Sequence, residues 1–475
     1  MKLVLPALLT PAEMARADRA AVALGRPVAW LMENAGRAVA RAVRARFTPC
    51  RTLVLCGPGN NGGDGYVAAR LLEGMGWPVA VAALAPAVGD AAQAASRWRG
   101  PCQPFSAAAA ARADLVIDAV FGAGLARDIT PAVAAVLQAA RRIVAVDVPS
   151  GLDGATGLPR GDAPQAELTV TFFRRKPGHL LLPGRTLCGA LVCADIGLPE
   201  AVLEQVHPTT FHNAPSLWRI PGPQIDGHKY TRGHVTVLGG ALMTGAARLT
   251  ALAARRGGAG MVTIAAREGA DIYRAGEAGT IVDARPLDVL LQDARRTVWV
   301  CGPGLGAESA RDALPALIAA GRLIVADADS FSAFAGQPEA FRGATVLTPH
   351  EGEFTRVFGP PGHDRLAAAR AAAARTGAVV LLKGADTIIA APDGRVAIND
   401  SAPPWLATAG SGDTLAGLIA GLLAQGLPPW EAASAGAWVH GRAGAHAGAH
   451  LIAEDLADAL RPALAEASAP LSSPP

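Results

Sequence analysis

Short runs of apolar, mostly β-branched residues alternate with Ala-rich stretches whose apolar positions recur three and four residues apart, and this alternation organises most of the chain. Before it begins, Thr10-Pro11-Ala12-Glu13 has the form of a capping box with Pro at the first helical position, which predicts a helix running through Met14 and Arg19. A second amphipathic helix is predicted over Val28 to Arg46. The strands that follow are TLVLC, PVAVAAL, DLVIDAV, RIVAVDV, LTVTF and ALVCADI, with a helix predicted after the first of them from near Tyr66. Strands that are apolar almost throughout and separated by helices belong in a parallel sheet covered on both faces. The rhythm stops between Glu204 and Gly227, where Pro208, Pro215, Pro221 and Pro223 accumulate, so this stretch reads as an interdomain linker. From about His228 the alternation resumes through HVTVLGG, MVTIAA, TVWVCG, LIVADAD, ATVLTP, VVLLKG and TIIAA, and it closes on two long Ala-rich helical segments after Gly412. Residues 466–475 read as a disordered tail.

The chain's 475 residues exceed what one hydrophobic core usually supports and fit two domains of roughly 200 to 250 residues each. Hydrophobic residues make up 51% but aromatics only 5%, and the excess is mostly Ala, which suits helices packed closely on a sheet rather than an aromatic platform. Lys and Arg total 43 against 40 Asp and Glu, with no polybasic arm, so the charge pattern argues against nucleic acid as a partner. Only Lys2, Lys176, Lys229 and Lys383 are lysines, which singles each out for a job that the wide guanidinium fork cannot do. The six cysteines, at 50, 56, 102, 188, 193 and 301, form no CxxC pair and lie in apolar segments, as reduced buried thiols do. Pro6 interrupts the apolar N-terminus, and no cleavage pattern or long apolar span follows, so a cytoplasmic enzyme with no membrane partner is expected.

Chemistry concentrates first at Gly57-Pro58-Gly59-Asn60-Asn61-Gly62-Gly63-Asp64-Gly65, directly after TLVLC. Glycines let backbone pass close to a ligand, and the start of the following helix offers unpaired N–H groups to a phosphate. A tight strand-to-helix turn would explain the glycines alone, but not the convergent Asn60, Asn61 and Asp64. Asp118 closes a second strand ahead of Phe121-Gly122-Ala123-Gly124-Leu125, and Asp147 a third ahead of Pro149-Ser150-Gly151. In a doubly wound sheet these loops share the carboxyl edge, where ligands bind. Asn61, Asp118 and Ser150 would supply one carboxylate and neutral oxygens there, too little charge for tight Ca²⁺ or Zn²⁺ binding but enough for a monovalent cation such as K⁺; helix capping by the two Asp residues is the plainer reading. Together LMENAGRAVA (Leu31 to Ala40), GPGNNGGDG, DAVFGAGL, DVPSGLDGATG and KPGHLLLPGR (Lys176 to Arg185) resemble the NAD(P)H-hydrate epimerase family over about residues 8 to 212. The resemblance implies that Asn60, Asn61, Gly62, Gly63 and Asp64, then Gly122, Ala123, Gly124, Leu125, Ala126, Arg127 and Asp128, and also Asp147, contact a hydrated dinucleotide. It further implies K⁺ on Asn61, Asp118 and Ser150, with Asp147 the catalytic acid/base candidate and Lys176 a weaker one.

The second concentration is Ala409-Gly410-Ser411-Gly412-Asp413-Thr414, a glycine turn leading into an apolar helix. N–H groups at that helix start suit a transferring phosphoryl group, and Asp413 is placed to take a proton from an attacking hydroxyl, although an Asp after a glycine turn can also simply cap. Lys383-Gly384-Ala385-Asp386-Thr387 ends another strand with groups suited to nucleotide phosphates or ribose, and Thr348-Pro349-His350-Glu351-Gly352-Glu353 opens a helix with acidic residues at its positive end, which alone is ordinary capping. Read in order, KYTRGHVTVLGG, TGAARLTALAARRGGAGMVT, CGPGLG, DADS, TPHEGE, KGADT and AGSGDTLAG resemble the ADP/ATP-dependent NAD(P)H-hydrate dehydratase family across about residues 220 to 462, with GSGD resembling ribokinase-like kinases. The resemblance places the hydrated dinucleotide near Ala246, Gly306, His350 and Asp413, and the adenine nucleotide near Lys383, Gly384, Ala385, Asp386, Thr387 and Gly412.

The expected fold is therefore α/β, a Rossmann-like doubly wound domain over 1–212 followed by a ribokinase-like α/β domain over 220–465. The expected activity is repair of hydrated NADH and NADPH: epimerisation of the R and S hydrates, then dehydration of the S form with ADP as co-substrate and Mg²⁺, giving AMP and phosphate. A homo-oligomer acting on small molecules is expected. The alternative is a vitamin or sugar kinase of the ribokinase-like type fused to a non-catalytic dinucleotide-binding module.

Overall fold

In the computed structural model, which describes residues 6–222 and 225–469, the first helix starts as its sequence predicts. Thr10 Oγ1 accepts from the Glu13 N–H at 3.2 Å while Glu13 Oε2 accepts from the Thr10 N–H at 2.8 Å, and the helix spans Pro11–Ala23. The next helix is Val28–Arg46. The chain divides into two compact units, one of Ala7–Thr210 and one that takes up the chain from Phe211.

In the first unit, six parallel strands lie in the order Val79–Ala83, Thr52–Cys56, Leu115–Ala119, Ile143–Val146, Leu168–Phe172, Ala190–Ala194. The sheet is apolar on both sides: Val54, Ile117, Val144 and Val170 join the core beneath Val28–Arg46 and Asn60–Gly74, while Leu55, Val116 and Ala145 join the one beneath Ala107–Arg112 and Pro131–Gln138. The winding reverses between Thr52–Cys56 and Leu115–Ala119, and at such a switch point the strand ends diverge and leave a crevice.

The helix expected from Tyr66 begins six residues earlier, as Asn60–Gly74. The glycine-rich segment is its first turn, because these glycines serve close packing rather than loop freedom. A Cβ on Gly62 would lie 1.9 Å from the Gly57 carbonyl oxygen, and one on Gly65 would lie 2.5 Å from the Ala119 side chain. Only backbone this bare lets the helix start directly against the sheet edge.

The second unit carries a mainly parallel sheet. From His234 onward its strands lie in the order Val396–Asn399, Thr387–Ala390, Val379–Leu382, Val346–Leu347, Leu323–Ala326, Val298–Cys301, His234–Leu238, Met261–Ala265, Ile281–Asp283. Thr387–Ala390 runs antiparallel to both of its neighbours, Val379–Leu382 and Val396–Asn399. Three helices, not two, close the unit: Ser411–Ala424, Pro429–Ala447 and Ala453–Ser468. The last runs into the expected tail because its buried face, Leu456, Leu460, Ala463 and Ala467, continues to its end; residues 470–475 lie outside the described residues. The helix Ser411–Ala424 approaches Thr244–Arg256 so closely that a Cβ on Gly417 would sit 2.0 Å from the Thr250 carbonyl oxygen.

Part of the expected linker also belongs to this unit. Phe211, Asn213 and Trp218 are buried, and the Asn213 side chain donates to Asn399 Oδ1 at 2.9 Å and to the Ser434 carbonyl at 2.7 Å while accepting from the Trp218 indole at 3.0 Å. Proline accumulation marked a loss of periodicity, not of packing. Among the described residues no helix is long and apolar enough to cross a membrane.

Candidate functional site

The crevice at the first unit's switch point is a cavity of about 670 Å³. Asn60, Asn61, Asp64, Gly122 to Arg127 and Asp147 all line it, joined by Asp18 and Lys176 and by an apolar wall that includes Met14, Leu31 and Ile196. Gly62, Gly63 and Asp128 are not among its lining residues; the two glycines pack inward, Gly63 against the Met32 side chain.

Asp147 is held harder than any other candidate. It has a left-handed backbone, with φ of 68°, which a non-glycine residue keeps only where its surroundings enforce it. Its Oδ1 accepts from Lys176 Nζ at 2.6 Å and Thr171 Oγ1 at 2.9 Å, and its Oδ2 from the Ala123 N–H at 2.9 Å. Burial opposes ionisation here, but the Lys176 ammonium and the Ala123 N–H win and take the carboxyl down to about 2. The Lys176 side chain is only 2% exposed, so the pair has little water to screen it. His179 completes the frame: its Nδ1 accepts from the Lys176 N–H at 2.9 Å, which leaves Nε2 to donate to the Asp147 carbonyl at 2.8 Å. Burial and Lys176 push that imidazole down to about 4, so it is a neutral strut.

Asp118 and Ser150 meet beside this cavity. Ser150 donates to Asp118 through its Oγ at 2.6 Å and its N–H at 2.8 Å, and its Oγ also lies 3.2 Å from the Phe121 carbonyl. Asp118 is wholly buried and forms no ion pair among the described residues, and burial raises its carboxyl. Asn61 Oδ1 and Asp147 Oδ2 each lie 3.1 Å from the point that a Cβ on Gly122 would occupy, and the buried Asn61 Nδ2 has no partner among the described residues. One buried carboxylate without a counter-cation, beside neutral oxygens, is a donor set that fits a monovalent cation.

In the second unit, the strand ends bring together His350, Lys383, Gly412 and Asp413. His350 caps the helix Glu351–Phe358 through Nδ1, which accepts from the Gly352 and Glu353 N–H groups at 3.0 and 3.3 Å, and its side chain is 58% exposed, so the far edge of the ring faces outward. Lys383 Nζ lies 2.7 Å from Asp327, 3.8 Å from Glu353 and 3.4 Å from the Cβ position of Gly412. It therefore points into the same cluster as Asp413. Burial raises the Asp413 carboxyl to about 6, helped by Asp327, Asp329 and Glu353 and opposed by Lys383. The Gly412 and Asp413 N–H groups fall in a helix's first turn, where intrahelical acceptors are lacking.

Gly306 donates its N–H to Asp329 Oδ2 at 2.8 Å, and Ala246 sits in the helix Thr244–Arg256, its Cβ 3.0 Å from the Cβ position of Gly304. The turn at Lys383 is tied internally: Thr387 Oγ1 donates to the Gly384 carbonyl and accepts the Gly384 N–H, and Asp386 pairs with Arg365 at 2.6 Å. The Thr387 hydroxyl thus serves the turn, and Gly384 and Ala385 present backbone. Asp18 in the first site and Asp327, Asp329 and Glu353 in the second are acidic residues to which the sequence assigned no site role. Asp327 lay within the DADS segment, and the left-handed Ala328 beside it, with φ of 47°, marks the bend that turns its carboxylate to Lys383.

Comparison with known proteins divides the same way. Residues 28–178 match the family described as YjeF-related protein N-terminus, and residues 235–465 match the family described as NAD(P)H-hydrate dehydratase. The bifunctional NAD(P)H-hydrate repair enzyme Nnr of Moorella thermoacetica is 39% identical over 92% of this chain and 92% of its own. The chain belongs to the bifunctional NAD(P)H-hydrate repair enzyme family. The enzyme of the same name from Mycobacterium tuberculosis is 40% identical over 81% of this chain and 80% of its own. A crystal structure of the ADP/ATP-dependent NAD(P)H-hydrate dehydratase from Bacillus subtilis, co-crystallised with ATP and Mg²⁺, is 31% identical, with a TM-score of 0.46, over 52% of this chain and 95% of its own.

Proposed function

We propose that this member of the bifunctional NAD(P)H-hydrate repair family interconverts the R and S hydrates of NADH and NADPH in its first unit and dehydrates the S hydrate in its second, with ADP as phosphoryl donor, in the cytoplasm. The observation that carries the second activity is Asp413, a carboxylate at the start of a helix whose surroundings set its proton affinity close to neutrality. Such a group is matched to removing a proton from a hydroxyl.

Hydration leaves a hydroxyl on carbon 6 of the nicotinamide ring, and hydroxide leaves poorly. Asp413 accepts the proton as the hydroxyl oxygen attacks the β-phosphoryl group of ADP; the bond to AMP breaks, and AMP departs. The phosphate ester then eliminates as its C–O bond breaks and the neighbouring carbon loses a proton, which restores the dihydronicotinamide. The first-turn N–H groups of Gly412 and Asp413 face the phosphoryl charge, and Lys383 limits the repulsion among Asp327, Glu353 and Asp413. Mg²⁺, when bound, would neutralise charge on the phosphates. Among the described residues no three His, Cys, Asp or Glu side chains converge as a metal cluster, so the ion would be carried mainly by phosphate and water, with Asp327, Glu353 or Asp413 contributing.

In the first unit, Asn61, Asp118 and Ser150 would hold K⁺, and the loops at Asn60 and Gly122 would hold the dinucleotide against the apolar wall. Asp147 is ionised at neutral pH and enters the reaction as proton acceptor, while Lys176 holds it in place.

The test is recovery of NADPH absorbance from a mixed R/S hydrate preparation with ADP or ATP. Wild type is expected to recover both epimers. Asp413→Asn is expected to lose about a hundredfold to ten-thousandfold in rate, and Asp147→Asn to leave the R fraction unrecovered beyond spontaneous epimerisation. Recovery of the S fraction alone by wild type would remove the epimerase reading. Recovery of nothing with either nucleotide would favour a kinase of another substrate.

A further inference from the structure

Exchange of configuration at carbon 6 needs a proton donor on one side of the ring and an acceptor on the other, and Asp147 fills only the second role. Its three acceptor contacts with Lys176, Thr171 and Ala123 hold it as a carboxylate, and Lys176 Nζ is itself committed to Asp147 and Thr171 at 2.6 and 2.8 Å. Two other acidic side chains line the same cavity, Asp18 and Asp64. We propose that Asp18, on the helix Pro11–Ala23, is the second catalytic residue of the epimerase site and donates the proton that lets the carbon 6 hydroxyl leave. This rests on the epimerase reading and deepens it.

The placement supports the assignment. Asp18 is partly exposed to the cavity, and its carboxylate has no hydrogen-bond or ion-pair partner among the described residues, so its valence is free for a ligand. The helix that carries it is fixed by the Thr10–Glu13 capping box and by Ala17, Ala20 and Ala21 packed into the core, so the side chain is presented from a rigid element. Burial, joined by the like charge of Asp147, outweighs Lys176 and Arg19 and lifts its carboxyl to about 6, with Asp64 nearby. Burial, with Asp147 and Asp18, raises the Asp64 carboxyl as well, but Asp64 belongs to the helix that carries Asn60 and Asn61, whereas Asp18 reaches the cavity from a separate helix. Two carboxyls in one cavity, one forced down by a lysine and one lifted by burial, form an acid/base pair.

Asp18 gives its proton to the hydroxyl oxygen, the carbon 6–oxygen bond breaks with its electron pair going to the departing water, and the ring nitrogen lone pair forms a carbon–nitrogen double bond. Water then adds to the opposite face of carbon 6, its surplus proton passes to the Asp147 side, and the electron pair returns to nitrogen. Exchange with solvent resets both carboxyls.

The experiment measures interconversion of separated R and S hydrates of NADPH by chromatography, using the full chain, with wild type, Asp18→Asn and Asp18→Glu. Asp18→Asn is expected to lower kcat at least tenfold, with KM changed less than threefold, and Asp18→Glu to restore part of kcat. Full turnover in Asp18→Asn overturns the proposal while leaving the epimerase reading intact. So does a loss that appears mainly in KM, or one that Asp18→Glu fails to relieve, since either marks a binding or structural role. Absence of interconversion in wild type overturns the reading itself, and the proposal with it.

Discussion

The two units solve the same problem with the same parts placed differently. Each ends a parallel strand near a glycine-lined helix start, and each sets a lysine against a buried or half-buried carboxylate: Lys176 on Asp147 at 2.6 Å, Lys383 on Asp327 at 2.7 Å. In the first unit the lysine's partner is the candidate proton acceptor, and its carboxyl sits at about 2. In the second the lysine's closest partner is a neighbour of the candidate, and Asp413 stays at about 6. Burial is the largest influence on both carboxyls and raises each, so the difference between them follows from which carboxylate takes the lysine.

Removing the two lysines gives the largest effects and tests this difference directly. Lys383→Met leaves Asp327, Glu353 and Asp413 without their shared cation, so the second unit should lose about 3–5 kcal/mol and Asp413 should titrate above its present value. The acid limb of the dehydration rate should then move to higher pH, because the base must be ionised to act. Lys176→Met should raise the Asp147 carboxyl, since burial would then be opposed chiefly by the Ala123 N–H. Denaturant midpoints and pH–rate profiles measure both. An unmoved limb in Lys383→Met would mean that Lys383 does not govern Asp413.

How much of this was legible depended on whether a residue's job is local. The capping box, both N-terminal helices and the apolar strands are local patterns and stand where the sequence puts them. The strand Val396–Asn399 was not anticipated, although Pro392-Asp393-Gly394 before it is a turn signal that pairs it with Thr387–Ala390. Asp18 could not be read at all: on an amphipathic helix an Asp looks like part of a solvated face until tertiary packing turns it toward Asp147. The start of Asn60–Gly74 was misplaced because glycines weigh against a helix by propensity, and their close-packing role appears only once Gly57 and Ala119 are in position.

That packing gives a mid-sized prediction confined to one side of the comparison. Gly62→Ala places a Cβ 1.9 Å from the Gly57 carbonyl oxygen, backbone that cannot rotate away. The helix start must shift, at a cost of about 1–3 kcal/mol, and Asn60 and Asn61 shift with it. Epimerisation should fall while dehydration of pure S hydrate is kept. Equal loss of both activities would show that the two sites are not independently built.

The smallest effect is the most discriminating, because it has the opposite sign. Asp413 keeps its proton more tightly when folded, at about 6 against an ordinary 3.8, so its contribution to stability falls as pH rises from about 4 to 6. At neutral pH the ionised side chain therefore opposes folding, by roughly 1–2 kcal/mol after allowance for its partial exposure. Asp413→Asn, which should abolish dehydration, should then raise the melting temperature of the second unit by about 2–6 °C at pH 7, and the gain should fade as pH falls toward about 3, below both the folded and the ordinary value. Asp147→Asn should do the reverse. Its folded carboxyl is depressed, so its stabilisation is present above the ordinary carboxylate range and is lost as pH falls toward about 2. Opposite signs from two aspartate-to-asparagine changes would establish that the lysine's choice of partner, and not burial, separates a strained proton acceptor from a clamped one.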